Sequence, residues 1–202
     1  YSLKLYNLTL LHKVINIRNI SPSTYAIRVE RKNITFKAGQ CFNLGVKSSG
    51  VNREYSIYSG ESDPFLEFLV KEVKGGAVSP SLRKVQAGEE VELHGPYGSF
   101  ILNLDQVAQS PFLFIGTGTG IAPFHSFVQS FPDLEYNLVV GIRTFVEQYD
   151  IADYDTSRLA WCVSRESGEG FNGRVTTYLK GIKLDPKSVC YLCGNQRMIH
   201  DV

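Results

Sequence analysis

The chain has 202 residues, 43% hydrophobic and 20% charged, with a formal net charge of +1. This is the composition of an ordinary soluble globular protein with enough residues for a sizeable core, organised as one large domain or two compact ones. The near-neutral balance offers no electrostatic case for nucleic acid or an anionic membrane, no stretch approaches the ~18 apolar residues of a bilayer span, and the N-terminus lacks a signal-peptide pattern.

Four cysteines, Cys41, Cys162, Cys190 and Cys193, are too few and too scattered for a disulfide-stapled secreted fold, so a reducing, cytoplasmic setting is expected. The chain opens at Tyr1 without a methionine and stops at Asp201-Val202 inside a helix-like stretch, which predicts that both ends are trimmed.

The first half reads as β. Strand-like runs lie around Leu10–Ile17, Gln40–Val46, Arg53–Tyr58, Leu66–Glu72 and Glu90–His94. Between the first two, Tyr25, Ile27 and Val29 alternate with Ala26, Arg28 and Glu30, the period of a half-buried strand. Turn signals separate the runs, among them Ser21-Pro22, Ala38-Gly39, Ser49-Gly50, Asp63-Pro64 and Ala87-Gly88. Short strands at near-regular spacing predict a closed barrel.

After Phe100 the pattern changes. Continuous apolar runs at Phe112–Ile115, Leu138–Ile142, Leu159–Val163 and Val189–Leu192 suit strands buried on both faces of a parallel sheet. Helix-like stretches alternate with them: one opens at Pro123 with Phe124, Phe127 and Val128 on one face, another carries Val175, Tyr178 and Leu179. The alternation predicts βαβ units, with the domain boundary near Asn103–Ser110.

Five segments carry candidate chemistry. Arg53-Glu54-Tyr55-Ser56-Ile57 places a cation, an aromatic ring and a hydroxyl close together, the set a flavin needs for its phosphates, ring face and ring edge. Taken alone the string reads first as an edge strand. Lys71 to Leu82 contains Gly75-Gly76-Ala77-Val78-Ser79, whose backbone amides and Ser79 hydroxyl suit a pyrophosphate; a plain connector is the alternative. Gly116-Thr117-Gly118-Thr119-Gly120 follows an apolar strand and precedes a helix, the context of a dinucleotide loop, although its spacing departs from G-x-G-x-x-G.

The fourth segment bears on the nucleotide. An NAD site expects a carboxylate ~20 residues beyond the glycine loop. Here the next strand ends in Arg143, the one after it in Ser164-Arg165, and Arg174 follows, which favours a 2′-phosphate over a bare ribose; a solvated arginine surface is the alternative. Fifth, Cys190-Tyr191-Leu192-Cys193-Gly194-Asn195 has CxxC spacing, but on a strand the two thiols point to opposite faces, which argues against metal or dithiol chemistry. Cys193 instead sits at a strand's C-terminal end, where open α/β sheets bind ligands. His12, His94 and His125 have no local sequence partners and read as surface or core histidines.

In order along the chain, Phe36-Lys37-Ala38-Gly39-Gln40, Arg53-Glu54-Tyr55-Ser56, Gly75–Ser79, Gly95-Pro96-Tyr97-Gly98, Gly116 to Pro123 and Cys193 to Met198 resemble the motifs of the ferredoxin–NADP reductase superfamily. The resemblance covers nearly the whole chain. It implies an antiparallel Greek-key β-barrel for a flavin over residues 1–104 and an α/β parallel-sheet domain for NADP(H) over residues 105–202, with a final strand and tail beyond this chain's end. It further implies FAD rather than FMN, hydride exchange between the nicotinamide and the flavin, and single electrons passed to ferredoxin or flavodoxin.

By position, Tyr55, Ser56 and Cys193 would be the catalytic set. Arg53 and Gly76, Ala77, Val78 and Ser79 would hold the pyrophosphate; Gly118, Thr119 and Cys193 would border the nicotinamide half, and Ser164, Arg165 and Arg174 match the family's 2′-phosphate residues, with Ile57, Lys71, Gly120, Arg143, Gly194 and Asn195 as further cofactor-binding residues. Two alternatives stay open: an NADH-dependent reductase component of an oxygenase or cytochrome system, and a non-catalytic flavin-binding subunit.

Overall fold

A computed structural model describes residues 10–103 and 111–202. The expected boundary at residues 104–105 lies outside them. The first unit is an antiparallel sheet of β1 (Leu10–Ser21), β2 (Thr24–Glu30), β3 (Cys41–Val46), β4 (Asn52–Ser56), β5 (Phe65–Lys71) and β6 (Glu90–Tyr97), in the order β4-β3-β6-β1-β2-β5. The two ends of the sheet meet through a bridge between Ile57 and Phe68, reinforced by the Tyr58 N–H donating to the Glu67 carbonyl at 2.8 Å. Strands β3, β4 and β5 thus run consecutively around the wall and β6 returns beside β3, which is the expected Greek key.

β1 serves two neighbours. Leu10–Lys13 pair with β6, and beyond Val14 the strand pairs with β2, with register breaks between Val14 and Asn16 and between Asn19 and Ser21. Such irregularities bend a strand, and here they carry β1 around the barrel. Tyr25, Ile27 and Val29 point inward as their alternation predicts, joined by Phe42, Leu44, Ile57, Phe68 and Leu93. Phe42 and Phe68 meet edge to face, centroids 5.7 Å apart. A short helix, α1 (Ser79–Leu82), plugs one end with buried Val78 and Leu82.

The second unit is a parallel sheet of β7 (Phe112–Thr117), β8 (Tyr136–Ile142), β9 (Leu159–Val163), β10 (Phe171–Asn172) and β11 (Val189–Cys193), ordered β10-β9-β8-β7-β11. Four of these strands match the apolar runs; β10, two residues long, is too short to leave a periodic signal. Helix α2 (Ala122–Ser130) begins with proline in its first turn and packs Phe124 and Phe127 on Phe114, centroids 5.0 and 5.5 Å away. On the opposite face, α3 (Val175–Gly181) and α4 (Gln196–Asp201) lay Val175 and Met198 on Leu113, Ile115 and Val139. Alternate β7 residues therefore feed two cores, as in an open α/β sheet. The barrel's Ala38, Tyr58 and Leu69 join the α2-side core, so the two units share one apolar contact. No helix among the described residues is long and apolar enough to cross a membrane.

Candidate active site: a cleft between barrel and parallel sheet

The chain leaves β7 for β8 on one side, and β11 returns on the other, so the strand order reverses at β7/β11. Ligands of open α/β sheets bind at the carboxyl ends of the strands beside such a reversal. A cleft of about 680 Å³ opens there, walled on the other side by the barrel.

From the barrel come Glu54, Tyr55, Ser56, Leu69 and Lys71. Although neighbouring residues of a strand point to opposite faces, Glu54 and Tyr55 both border the cleft, which meets β4 at the end of the sheet order. Tyr55 is half-buried, and burial pushes its phenol up from its ordinary value. The Ser56 hydroxyl makes no side-chain hydrogen bond among the described residues.

From the parallel sheet come Thr117 at the end of β7 with Gly118 to Gly120 beyond it, and Cys193 at the end of β11 with Gly194 and Asn195 beyond it. These two loops touch. A Cβ on Gly120 would stand 2.5 Å from both the Cys193 carbonyl oxygen and the Gly194 Cα, and Gly194 has φ +134° with Thr117 against it, so neither position admits a side chain. The Asn195 N–H donates to Thr117 Oγ1 at 2.7 Å. Asn195 Oδ1 accepts from the Arg197 N–H at 2.9 Å, which makes it the cap of α4 as well as a wall residue. Burial pushes the Cys193 thiol up to about 11, so it faces the cleft as a neutral thiol. Cys190, three residues back, is exposed elsewhere, as the strand period requires, and no metal-binding cluster occurs among the described residues.

Beyond β8, β9 and β10 the cleft is lined by Arg143, Ser164 and Arg174. Both arginines are exposed and make no side-chain ion pair among the described residues. The Ser164 hydroxyl donates to the Ile142 carbonyl at 3.1 Å, so to donate to a ligand it must rotate.

Other expected residues stand apart. Ile57 is fully buried in the barrel core, so its side chain cannot touch a ligand. Val78 is buried, and Ser79 Oγ accepts from the Val73 N–H at 2.9 Å, bracing the 75–79 loop from within. Arg53, Gly76, Ala77 and Arg165 do not line the cleft. Arg53 is exposed, and among the described residues its side chain donates only from Nη1 to the Asn52 carbonyl, at 2.8 Å, which leaves most of the guanidinium open to solvent. Lys71 lines the cleft, but its Nζ lies 2.8 Å from Glu147 Oε1.

Glu147 was not foreseen. It is buried, and its other oxygen accepts from the Arg143 N–H at 2.8 Å. Burial pushes its carboxyl up, but Lys71 and the Arg143 N–H outweigh this and hold it below its ordinary value. His125 is a core histidine, one of the two places expected for it, and it is buried with partners on both ring nitrogens, Tyr58 and Asp153, that are distant in sequence. An open aromatic ring, a hydroxyl and two exposed arginines without a side-chain ion pair among the described residues, and two glycine-lined loops are donors and surfaces that fit a flavin and a dinucleotide.

Residues 8–101 match the oxidoreductase FAD-binding domain family. The toluate 1,2-dioxygenase electron transfer component of Pseudomonas putida is 29% identical over 94% of this chain, which spans 60% of that protein's length. Ferredoxin–NADP reductase B of Sorangium cellulosum (strain So ce56) is 34% identical over 93% of this chain and 86% of its own length. Among solved structures, the Amycolatopsis cytochrome P450 reductase GcoB superposes with a TM-score of 0.84 at 26% identity, covering 95% of this chain and 64% of that one. A barrel matched as an FAD-binding domain, together with a likeness to a ferredoxin–NADP reductase that runs through both units, means that the chain belongs to the ferredoxin–NADP reductase family of FAD-binding oxidoreductases.

Proposed function

We propose that this chain passes reducing equivalents between NADPH and FAD and single electrons between the flavin and ferredoxin or flavodoxin. The observation that carries this reading is the cleft itself, lined by Tyr55 and Ser56 of the barrel, by the Gly118–Gly120 loop and Cys193 of the nucleotide domain, and by Arg143 and Arg174. A bound flavin supplies the exchange between two-electron and one-electron chemistry. The protein's part is position and exclusion of water. Tyr55 gives the flavin ring a flat apolar partner, Ser56 a hydroxyl at its edge, and Arg53 with the Gly76–Ser79 backbone a grip on its phosphates. Gly118, Thr119 and Gly120 offer a side-chain-free approach to the dinucleotide, and Arg143, Ser164 and Arg174 a site for its 2′-phosphate. Cys193, protonated, is a neutral wall for the nicotinamide and no nucleophile.

The likeness to the dioxygenase component favours one second reading, an NADH-linked reductase component. Anaerobic stopped-flow reduction with each nucleotide, followed by acceptor screening, separates the two. Flavin reduced faster by NADPH, then reoxidised by ferredoxin or flavodoxin, is the expected result. Equal or faster reduction by NADH removes the arginine argument, and a colourless protein that takes up no flavin on reconstitution removes the catalytic reading.

A further inference from the structure

The charges facing the cleft are distributed unevenly. On the nucleotide-domain wall, Arg143 and Arg174 are exposed and make no side-chain ion pair among the described residues. On the barrel wall the described lining residues include one cation, Lys71, and one exposed carboxylate, Glu54. Lys71 is not free: its Nζ lies 2.8 Å from Oε1 of Glu147, whose side chain is 8% exposed. Glu147 is held in turn by the Arg143 N–H on Oε2, so the carboxylate cannot swing away from the lysine without giving up a second hydrogen bond. Paired with Glu147 of the nucleotide domain, Lys71 presents no net positive charge to a polyanion, while the exposed guanidinium groups of Arg143, which also feels the Glu147 charge, and of Arg174 make no side-chain ion pair among the described residues.

We propose that Glu147 is a positioning residue that acts through Lys71: by pairing with the lysine it keeps that ammonium from the phosphates of a dinucleotide, so that Arg143 and Arg174 are the exposed cations left to hold them. The inference rests on the reading of this cleft as the nucleotide site. It makes a prediction opposite in sign to that for a structural carboxylate. In Glu147→Gln the amide oxygen can still accept from the Arg143 N–H, but the Lys71 ammonium is released into the cleft as an additional phosphate ligand, and a small polyanion should bind more tightly.

The test is calorimetric titration of the flavin-loaded protein with inorganic pyrophosphate and with adenosine 2′,5′-bisphosphate. The parent binds both. Glu147→Gln tightens pyrophosphate binding by about fivefold, the scale of one partly exposed charge-assisted contact, and adding Lys71→Met returns the affinity to the parent value. Weaker or unchanged pyrophosphate binding in Glu147→Gln overturns the proposal, as does tightening that survives Lys71→Met. Should the single variant not fold, the charge-neutral double variant decides alone: parent-like affinity supports the proposal, and a loss means that Lys71 grips phosphate in the parent. A parent that binds neither probe removes the nucleotide-site reading itself, a result distinct from any variant outcome.

Discussion

His125 stacks on Tyr58, ring centroids 3.8 Å apart and planes 14° from parallel, while its Nδ1 lies 2.6 Å from the Tyr58 carbonyl oxygen. Its Nε2 lies 3.0 Å from Asp153 Oδ2. The next helix residue, Ser126, donates its hydroxyl to the Ser59 carbonyl at 2.7 Å. Helix α2 of the nucleotide domain therefore grips the chain that closes the barrel by two consecutive residues. A carbonyl can only accept, so Nδ1 carries a proton, and His125→Phe would keep the stacking while leaving that carbonyl without its side-chain donor. Such a loss costs about 1–3 kcal/mol. Urea denaturation should show a destabilisation in that range; a change under about 0.5 kcal/mol, the noise level of a surface substitution, would mean that the stacking alone holds the helix.

Acid should loosen the same interface. Asp150 accepts from both Arg18 Nη atoms, at 3.0 and 2.9 Å, and from the Tyr58 hydroxyl at 3.0 Å, tying the segment after β8 to β1 and to the barrel closure. Burial pushes its carboxyl up, but Arg18 and the Tyr58 hydroxyl outweigh this and hold it below its ordinary value; Glu147 is lowered in the same way. A depressed folded-state value means that the stabilisation is complete above the unfolded values of about 4. It is then lost as pH falls through the folded ones. Urea midpoints should fall between pH 6 and pH 3, and Asp150→Asn should flatten that slope while lowering the midpoint at pH 7. An unchanged slope in the variant would place the acid sensitivity elsewhere.

These interface residues also mark where the sequence stops being informative. The barrel wall and the sheet could be read because burial leaves a period: Tyr25, Ile27 and Val29 alternate, and Phe112–Ile115 is continuous. The Gly116–Pro123 and Cys193–Gly194 segments could be found because close backbone approach admits only glycine at Gly120 and Gly194. Glu147, Asp150 and Asp153 lie in or beside short 3-10 turns, where no period exists, and their partners Lys71, Arg18 and His125 are distant in sequence. Ile57 misled for the converse reason. Its place in the Arg53–Ser56 string suggested a side chain facing a ligand, whereas that side chain is buried where the barrel closes against Phe68, which leaves only its backbone for such a role.

The contact between the two glycine loops predicts that Gly120→Ala is poorly tolerated. Its methyl would occupy space 2.5 Å from backbone atoms of Cys193 and Gly194, which are not the movable ends of side chains. Relief requires the loops after β7 and β11 to separate, which widens the cleft where the dinucleotide would lie. Affinity for adenosine 2′,5′-bisphosphate should fall tenfold or more, about 1.4 kcal/mol, with flavin content unchanged because the barrel is not involved. Parent-like affinity would show that the loops can part without disturbing the site.

Cysteine reactivity tests the picture of Cys193 as a neutral wall. Burial pushes its thiol up to about 11 and that of fully buried Cys162 to about 12, and it also raises Cys190 above its ordinary value. Cys190 is exposed, so access favours it at any pH at which some thiolate exists. Iodoacetamide labelling followed by peptide mass spectrometry should therefore modify Cys190 first, Cys193 more slowly, and Cys162 only on unfolding. Because the thiolate is the reacting form, the Cys193 rate should climb about tenfold per pH unit from pH 8 to pH 10. Adenosine 2′,5′-bisphosphate, seated between the loops that border Cys193, should slow its labelling and leave Cys190 untouched. Fast, pH-independent labelling of Cys193 near pH 7 would instead identify a thiolate, and with it a nucleophile that the burial of this residue does not allow.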